Sequence, residues 1–572
     1  MKKLLKFFSG YKKEITLGPA FKLIEALFEL FVPIVVAYIV DVAIKSEDKK
    51  SATLLSGLLA LLGILGFIFS VSAQYFCAKA SVNFASRVRG ALFSHIQKFS
   101  FEQLDRVGTP TLLTRMTSDV NQVQTGVNLS LRLLLRSPFV VFGSAVMAFT
   151  ISPKISIIFL VMIAVLSVVV FGIMLITMPM HKSVQSKLDA LTLSAKENLV
   201  GVRVIRAFCK EENEIESFNE KNNLFVGAQK KTANVSALTG PLTQVIVNLG
   251  IIVLVEHGAV SVNLGLLTQG ALIALYNYMS QILVELVKLA NLIVTISKSI
   301  ACAGRISSIL DISPENIEGE ESLTGNAADV EFDNVSFRYS GASENSLDSI
   351  SFKVKAGQTV GVLGGTGDGK TTLVNLIPRF YNPTEGRVLI NGVDIASVSP
   401  ISLRQKVGMV FQRATLFSGT VRENLKFGNS DADDEALINA LEAAQAYDFI
   451  MEKDGGLDAV VEQEGRNFSG GQRQRLTIAR ALVKAPQILI LDDSSSALDY
   501  LTESKLRREL LNLSFNPTCF IVSQRASSVM MADIIIVLED GRAVGIGTHN
   551  ELMENCNVYR EIYESQFGKE EK

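Results

Sequence analysis

Apolar side chains come in long uninterrupted runs over the first 300 residues and in short runs after that. Residues 51–76, SATLLSGLLALLGILGFIFSVSAQYF, and 155–180, ISIIFLVMIAVLSVVVFGIMLITMPM, contain no charged side chain. About 20 such residues wound as a helix cross a hydrocarbon core of about 30 Å, so these runs predict membrane helices. The pattern predicts six spans, near 16–44, 51–76, 129–151, 155–180, 238–263 and 269–298. Their connections alternate in kind. Those at 45–50, 152–154 and 264–268 are short, whereas 77–128 and 181–237 are long, polar and helical in pattern. A helical hairpin of some fifty residues reaches over 30 Å beyond the bilayer at about 1.5 Å per residue.

The long connections carry Arg87, Arg89, Arg106, Arg115, Arg203, Arg206, Lys230 and Lys231. Lysine and arginine favour the cytoplasmic side, which places the N-terminus, both long connections and the C-terminal half there. The first short connection opposes this through Lys45, Lys49 and Lys50, and the longer segments outweigh it. The opening, MKKLLKFFSGYKKEITLGPAF, reads as a basic head before the first span, because no small-residue cleavage site follows a short apolar core.

Residues 311–328, DISPENIEGEESLTGNAA, are acidic and rich in Ser, Gly and Asn, and read as a linker. From there the texture changes. Short strands such as TVGVLG, VGMVFQ, ILILD and TCFIVS alternate with helical patterns, and IIIVLEDGRAVGIGT predicts a hairpin turning at Asp540-Gly541. The expected architecture is an α-helical transmembrane domain over 1–310 with long cytoplasmic extensions, a linker over 311–328, and an α/β domain over 329–572.

Charge is nearly balanced, with 55 Lys and Arg against 57 Asp and Glu, so no basic surface points to nucleic acid. Cys77, Cys209, Cys302, Cys519 and Cys556 lie far apart with no CxxC pair, as expected of reduced, mostly buried thiols.

The strongest chemical signal is GGTGDGKTT, residues 364–372, between the strand TVGVL and the helical LVNLIPRF. It fits the phosphate-loop pattern in its required strand–loop–helix setting. Gly364, Gly365, Thr366, Gly367, Asp368 and Gly369 would turn backbone N–H groups toward a β-phosphate, aided by the positive field of the helix start. Lys370 would reach the β- and γ-phosphates, Thr371 would hold Mg²⁺, and Thr372 completes the motif. The cofactors expected from the motif are therefore a nucleotide and Mg²⁺. Asp492, ending the apolar strand ILILD, reads as the carboxylate that orients the metal through water. A second carboxylate, Asp493, follows it directly.

With FSGGQRQR at 468–475 beside these motifs, the chain resembles the ATP-binding cassette (ABC) transporters over essentially its whole length, in the exporter layout of six spans fused to one nucleotide-binding domain. The resemblance implies that the nucleotide is ATP, that Tyr339 in VSFRYSG stacks on adenine, and that Gln412 in VFQRATLFSGTVREN contacts Mg²⁺ and senses the membrane domain. It implies that Ser469, Gly470, Gly471 and Gln472 form a signature covering the γ-phosphate of ATP held by an opposite domain. SALD, 496–499, would be the loop communicating between the two sites. Short coupling helices are expected near 105–118 and 197–210, and a bacterial inner membrane is the expected location. His549 lies beyond the last hairpin and reads as structural.

Two positions depart from the family's pattern. Asp493 stands where the family usually has the glutamate that polarises the attacking water, and Gln524 in IVSQRASS stands where it usually has a histidine contacting the γ-phosphate. Aspartate is shorter by about 1.5 Å, and a displacement near 1 Å costs on the order of 10²-fold in rate. Glutamine can donate a hydrogen bond but cannot become a cation. Together they imply a pocket that binds ATP and hydrolyses it poorly, in a chain most like the degenerate-site subunit of a heterodimeric multidrug-type exporter. Its partner would be a second half-transporter, and its substrate a hydrophobic or amphipathic compound or lipid. A slow homodimeric exporter and an ATP-gated channel or regulator are the competing readings. Within the spans, Glu25, Glu29, Glu256, His257 and Lys288 are ionisable candidates for substrate contact. Snorkelling or helix pairing is the competing reading for Glu256 and His257 near an outer helix end and for Lys288 near the inner portion of the sixth span.

Overall fold

The computed structural model describes residues 2–314, 323 and 328–568, so most of the predicted linker lies outside the described residues. The chain divides into two compact units. Unit 1 is Met1–Gln97 with Pro110–Ser313, and unit 2 is Lys98–Thr109 with Pro314–Lys572.

Unit 1 contains six helical spans: span 1 (Lys12–Ile44), span 2 (Lys49–Ile96), span 3 (Thr109–Ile151), span 4 (Pro153–Val200), span 5 (Glu211–Asn263) and span 6 (Gln269–Leu310). Local signals start them at the short connections. Asp48 caps span 2 by accepting the Lys50 N–H at 2.9 Å, Thr268 caps span 6 by accepting the Ala271 N–H at 3.2 Å, and Pro153 occupies the first turn of span 4. The ends beside the short connections fall where hydropathy puts them. The other ends run on, to Ile96 rather than 76, Val200 rather than 180 and Leu310 rather than 298. Hydropathy marks where the hydrocarbon stops, not where the helix stops.

Span 2 buries small side chains, among them Ala73, Cys77, Ala80, Ser81 and Ala85. Such residues let helix backbones approach closely. The approach to span 1 is tight enough that a Cβ on Gly18 would lie 2.6 Å from the Cys77 sulfur. The core joins Leu30 of span 1, Val141 of span 3, Phe159 and Leu166 of span 4, Leu254 of span 5, and Leu275, Tyr278 and Ile282 of span 6.

Two short helices interrupt the long connections: α1 (Phe101–Val107) and α2 (Val202–Ala207). The first begins earlier than expected and stops well before 118. Ser100 and Gln103 form a reciprocal capping box at its start, and Gly108 at φ 79° ends it.

Unit 2 holds two main sheets. Strands β1 (Val330–Phe337), β2 (Leu347–Val354), β4 (Glu385–Ile390) and β5 (Val393–Asp394) make an antiparallel sheet in the order β2-β1-β4-β5. The larger sheet has the order β12-β11-β3-β10-β9-β6, from β3 (Thr359–Gly364), β6 (Val407–Val410), β9 (Ile488–Asp492), β10 (Thr518–Ser523), β11 (Ile534–Glu539) and β12 (Arg542–Gly547). Its strands run parallel except the edge strand β12. Every residue of β9 is buried, as a strand covered on both faces requires. The β11–β12 hairpin turns at Asp540 and Gly541, both at positive φ. A small ladder pairs β7 (Gly419–Thr420) with β8 (Val460–Val461).

Candidate functional site

Four neighbouring parallel strands lie side by side in the order β3-β10-β9-β6, which brings together the residues that follow their ends. Crevices at the carboxyl ends of such strands are where open α/β sheets bind ligands. After β3 the chain turns through Gly365–Gly369 into helix α3 (Lys370–Leu376). Gly369 sits at φ 91°, and a Cβ there would meet the Ser346 carbonyl at 2.5 Å, so only glycine fits.

The Lys370 side chain is 8% exposed and curls back so that its ammonium donates to the carbonyl of Gly364 at 2.9 Å and to that of Gly365. Burial lowers its proton affinity, opposed by the negative charges of Asp368, Asp493 and Asp492. Thr371 Oγ1 donates to Asp492 Oδ1 at 3.0 Å, across from β3 to the end of β9. Asp492 is 2% exposed, and burial, reinforced by neighbouring Asp493, holds its carboxyl above the usual carboxylate range. These hard oxygen donors suit Mg²⁺, and the positive loop and lysine suit phosphate.

Asp493 takes a left-handed backbone at φ 46°, which aspartate tolerates better than longer side chains. Its N–H donates to the Val522 carbonyl at 3.0 Å, and Gln412 Nε2 donates to its Oδ2 at 3.2 Å. Gln524 lies after β10, where Thr366 Oγ1 approaches its Oε1 at 3.5 Å and Gln566 holds its carbonyl at 2.9 Å. Thus Lys370, Thr371, Gln412, Asp492, Asp493 and Gln524 come together from four strand ends.

Tyr339 is half-buried, its hydroxyl 3.1 Å from Thr372 Oγ1 and its ring edge-on to Phe337 and Tyr381. Ser469 caps the helix α4 (Gly470–Leu482) in a capping box with Gln472, at 3.3 and 2.9 Å. A Cβ on Gly471 would lie 2.9 Å from the Ala497 carbonyl, so the signature packs on the SALD segment. Ser469 and Gln472 thus bond each other, and among the described contacts none joins the signature to Lys370. His549 Nδ1 pairs with the Tyr559 hydroxyl at 2.7 Å, away from the crevice.

Unit 2 also includes α1. Phe101 stacks on Phe380 with centroids 4.1 Å apart, Asp105 accepts from the Tyr381 hydroxyl, and Phe380 stacks on Phe411 at 5.9 Å, next to Gln412.

The candidates in the spans divide. Glu256 and His257 are exposed. Glu25 pairs with buried Lys22 at 2.5 Å. Half-buried Glu29 and exposed Lys288 join a network centred on buried Arg136 and Glu285, two residues that the sequence reading does not single out. Arg136 of span 3, 7% exposed, bonds Glu29 of span 1 at 2.5 Å and Glu285 of span 6 at 2.7 Å. Lys288 and Ser137 each donate to Glu285 at 2.8 Å. A charge inside an apolar run is the signal that could have found Arg136 and Glu285.

Comparison with known proteins agrees with this layout. Residues 15–286 match the family described as ABC transporter transmembrane region, and residues 347–496 match that described as ABC transporter. The ABC transporter ATP-binding protein YfiB of Bacillus subtilis is 33% identical over 100% of this chain and 99% of its own length. The ATP-dependent lipid A-core flippase of Escherichia coli is 32% identical over 90% of this chain and 88% of its own. A bacterial Atm1-family ABC exporter solved with ATP bound superposes with a TM-score of 0.80 at 25% identity, over 100% of this chain and 99% of that one. The chain therefore belongs to the ABC transporter family, as an ATP-driven membrane exporter that carries both a transmembrane and an ATPase domain.

Proposed function

We propose that this chain is one half of a two-chain exporter in which its own nucleotide pocket is the weaker of two. The observation that carries the reading is the pair Asp493 and Gln524 at the two strand ends flanking the pocket, both short of the chemistry usual there, beside an intact Lys370 loop and SGGQ signature. Lys370 and the loop N–H groups would bind the β- and γ-phosphates of ATP, and Tyr339 would face the adenine. Thr371, Asp492 and Gln412 would hold Mg²⁺ directly or through water. Bound Mg²⁺ neutralises charge on the phosphate oxygens. Asp493 stands at the position that orients the attacking water, one methylene short, and Gln524 at the position that contacts the γ-phosphate. Ser469, Gly470, Gly471 and Gln472 would cover the γ-phosphate held by the partner's loop.

With the long connections and unit 2 in the cytoplasm, ATP binding and hydrolysis there would drive outward movement of a hydrophobic or amphipathic compound. The relative named as a lipid flippase and the apolar spans support that substrate class. A homodimer is the second reading, because loop and signature are both intact on one chain and two copies would build two complete composite sites.

The test is affinity purification of the tagged chain from its native membrane, followed by ATPase assay of what elutes. A second, different half-transporter in equal amount, with turnover lost when the partner's base is removed, is the expected result. A homodimer whose ATPase is abolished by Asp493→Asn would replace the proposal.

A further inference from the structure

Within the loop 364–372 one residue is acidic, Asp368. Its Oδ2 accepts the backbone N–H of Gly365. The carboxylate lies over the loop's glycines, since a Cβ added at Gly364 would come within 2.9 Å of Oδ2 and one at Gly365 within 3.2 Å. Among the carboxylates acting on the Lys370 ammonium, Asp368 weighs more than Asp493 or Asp492. A phosphate oxygen entering the loop seeks these same donors, the backbone N–H groups and the lysine.

We infer that Asp368 is a built-in competitor for the phosphate, a carboxylate that holds the Gly365 N–H until a nucleotide displaces it. The inference rests on ATP binding at this loop, as proposed above. It has a consequence for which form of nucleotide enters. One ammonium (Lys370) and three carboxylates (Asp368, Asp492, Asp493) give side-chain charges of +1 and −3, so the pocket sums to −2. Free ATP carries its full negative charge into that field, whereas the magnesium complex carries two charges fewer. Asp368 thus biases the site toward metal-complexed nucleoside triphosphate and against metal-free nucleotide. Alanine at 368 would leave the Gly365 N–H open and reduce the opposing charge, whereas asparagine would reduce the charge but keep an amide oxygen that can accept the same N–H. Neither touches Lys370, Thr371 or Asp492.

The competing account is that Asp368 only staples the loop in its shape, in which case removing it loosens the phosphate cradle and weakens binding. The two accounts predict opposite signs. The experiment is photolabelling of the full-length chain in detergent with 8-azido-ATP, read on this chain's own band, with and without Mg²⁺, for wild type, Asp368→Ala, Asp368→Asn and Lys370→Ala. Hydrogen bonds to charged groups are worth enough that their loss to competition amounts to about tenfold in affinity. The half-saturating concentration should therefore fall about tenfold in EDTA for Asp368→Ala, by less for Asp368→Asn, and for each by a smaller factor with Mg²⁺. Unchanged or weaker labelling of both variants, with Lys370→Ala still lost, would overturn the role of Asp368 alone. Labelling indifferent to Lys370→Ala would instead overturn ATP binding at this loop, and the inference with it.

Discussion

Gln412 Nε2 donates to Asp493 Oδ2 at 3.2 Å, tying the residues that follow two adjacent strands, β6 and β9. The carboxylate proposed for the water-orienting position is thereby engaged by the side chain proposed to reach the metal. A longer carboxylate on the same backbone would extend past that amide toward the phosphate.

Repair of the pocket follows from this. Asp493→Glu with Gln524→His should raise single-turnover hydrolysis at this chain's site by at least tenfold, since a placed general base contributes about 10²–10⁴-fold. The left-handed backbone at 493 is less favourable for glutamate than for aspartate, so a fall of about 1 kcal/mol in stability is expected alongside. Hydrolysis unchanged in a complex whose partner signature is intact would show that base geometry is not what limits this pocket.

The two faces of unit 2 should differ in weight. Ser469→Arg should reduce steady-state ATPase of the complex at least about 10²-fold, as loss of a contact to developing phosphate charge does. Asp493→Asn should lower it only a few-fold. Ser469 is the cleaner position to alter, because any side chain at Gly471 meets the Ala497 carbonyl. Ser469→Ala serves as control for its capping role, worth about 1 kcal/mol. Equal and near-complete losses at 469 and 493 would favour two identical sites.

Lys370→Ala should abolish nucleotide labelling of this chain and leave a substantial fraction of the complex's turnover. The buried ammonium holds two loop carbonyls, so the loop itself also loosens. Complete loss of turnover, with the partner's site still binding nucleotide, would contradict the proposed asymmetry.

How much of this was legible in the chain differs by level. The phosphate loop and SGGQ are contiguous strings, and the spans announce themselves by composition. What escaped depends on partners distant in sequence. Glu285 and Arg136 are separated by 149 residues, and nothing local says that they meet. The hydrogen bond from Gly365 to Asp368 hides inside a motif whose intervening positions carry no prescribed residue. The start of α1 was readable, as S-x-x-Q from Ser100 to Gln103, but a polar helical pattern on both sides masks it.

The Arg136 network yields a stability prediction. Removing one partner of a buried pair is costly, about 3–5 kcal/mol, whereas apolar replacement of the set costs far less. Glu285→Gln and Arg136→Met should each lower the thermal midpoint in detergent more than Arg136→Met combined with Glu285→Leu and Glu29→Gln does. Additive losses would mean that the three substituted positions, out of four charges counting Lys288, act independently.

The stacked ring of Phe101 gives a different readout. Phe101→Ala removes its contact with Phe380, an aromatic pair worth about 0.5–1.5 kcal/mol. Because Phe380 in turn touches Phe411 beside Gln412, transport per ATP hydrolysed in vesicles should fall while basal ATPase persists. Transport and ATPase falling together in proportion would argue against a coupling role.

Spans 2 and 4 are each one helix of 48 residues, from Lys49 to Ile96 and from Pro153 to Val200. Evolution therefore cannot treat the polar parts of these connections as ordinary loops. A surface loop absorbs an inserted residue at small cost, but a residue added within a continuous helix turns everything beyond it by about 100° and lifts it about 1.5 Å. Length changes in homologous chains should then come in sets of seven, two near-whole turns that leave a drift of only about 20°. Between Ala78 and Ile96, or between His181 and Val200, deletion of a single residue is a rotation of the whole distal hairpin, and substitution is the only gentle edit these segments permit.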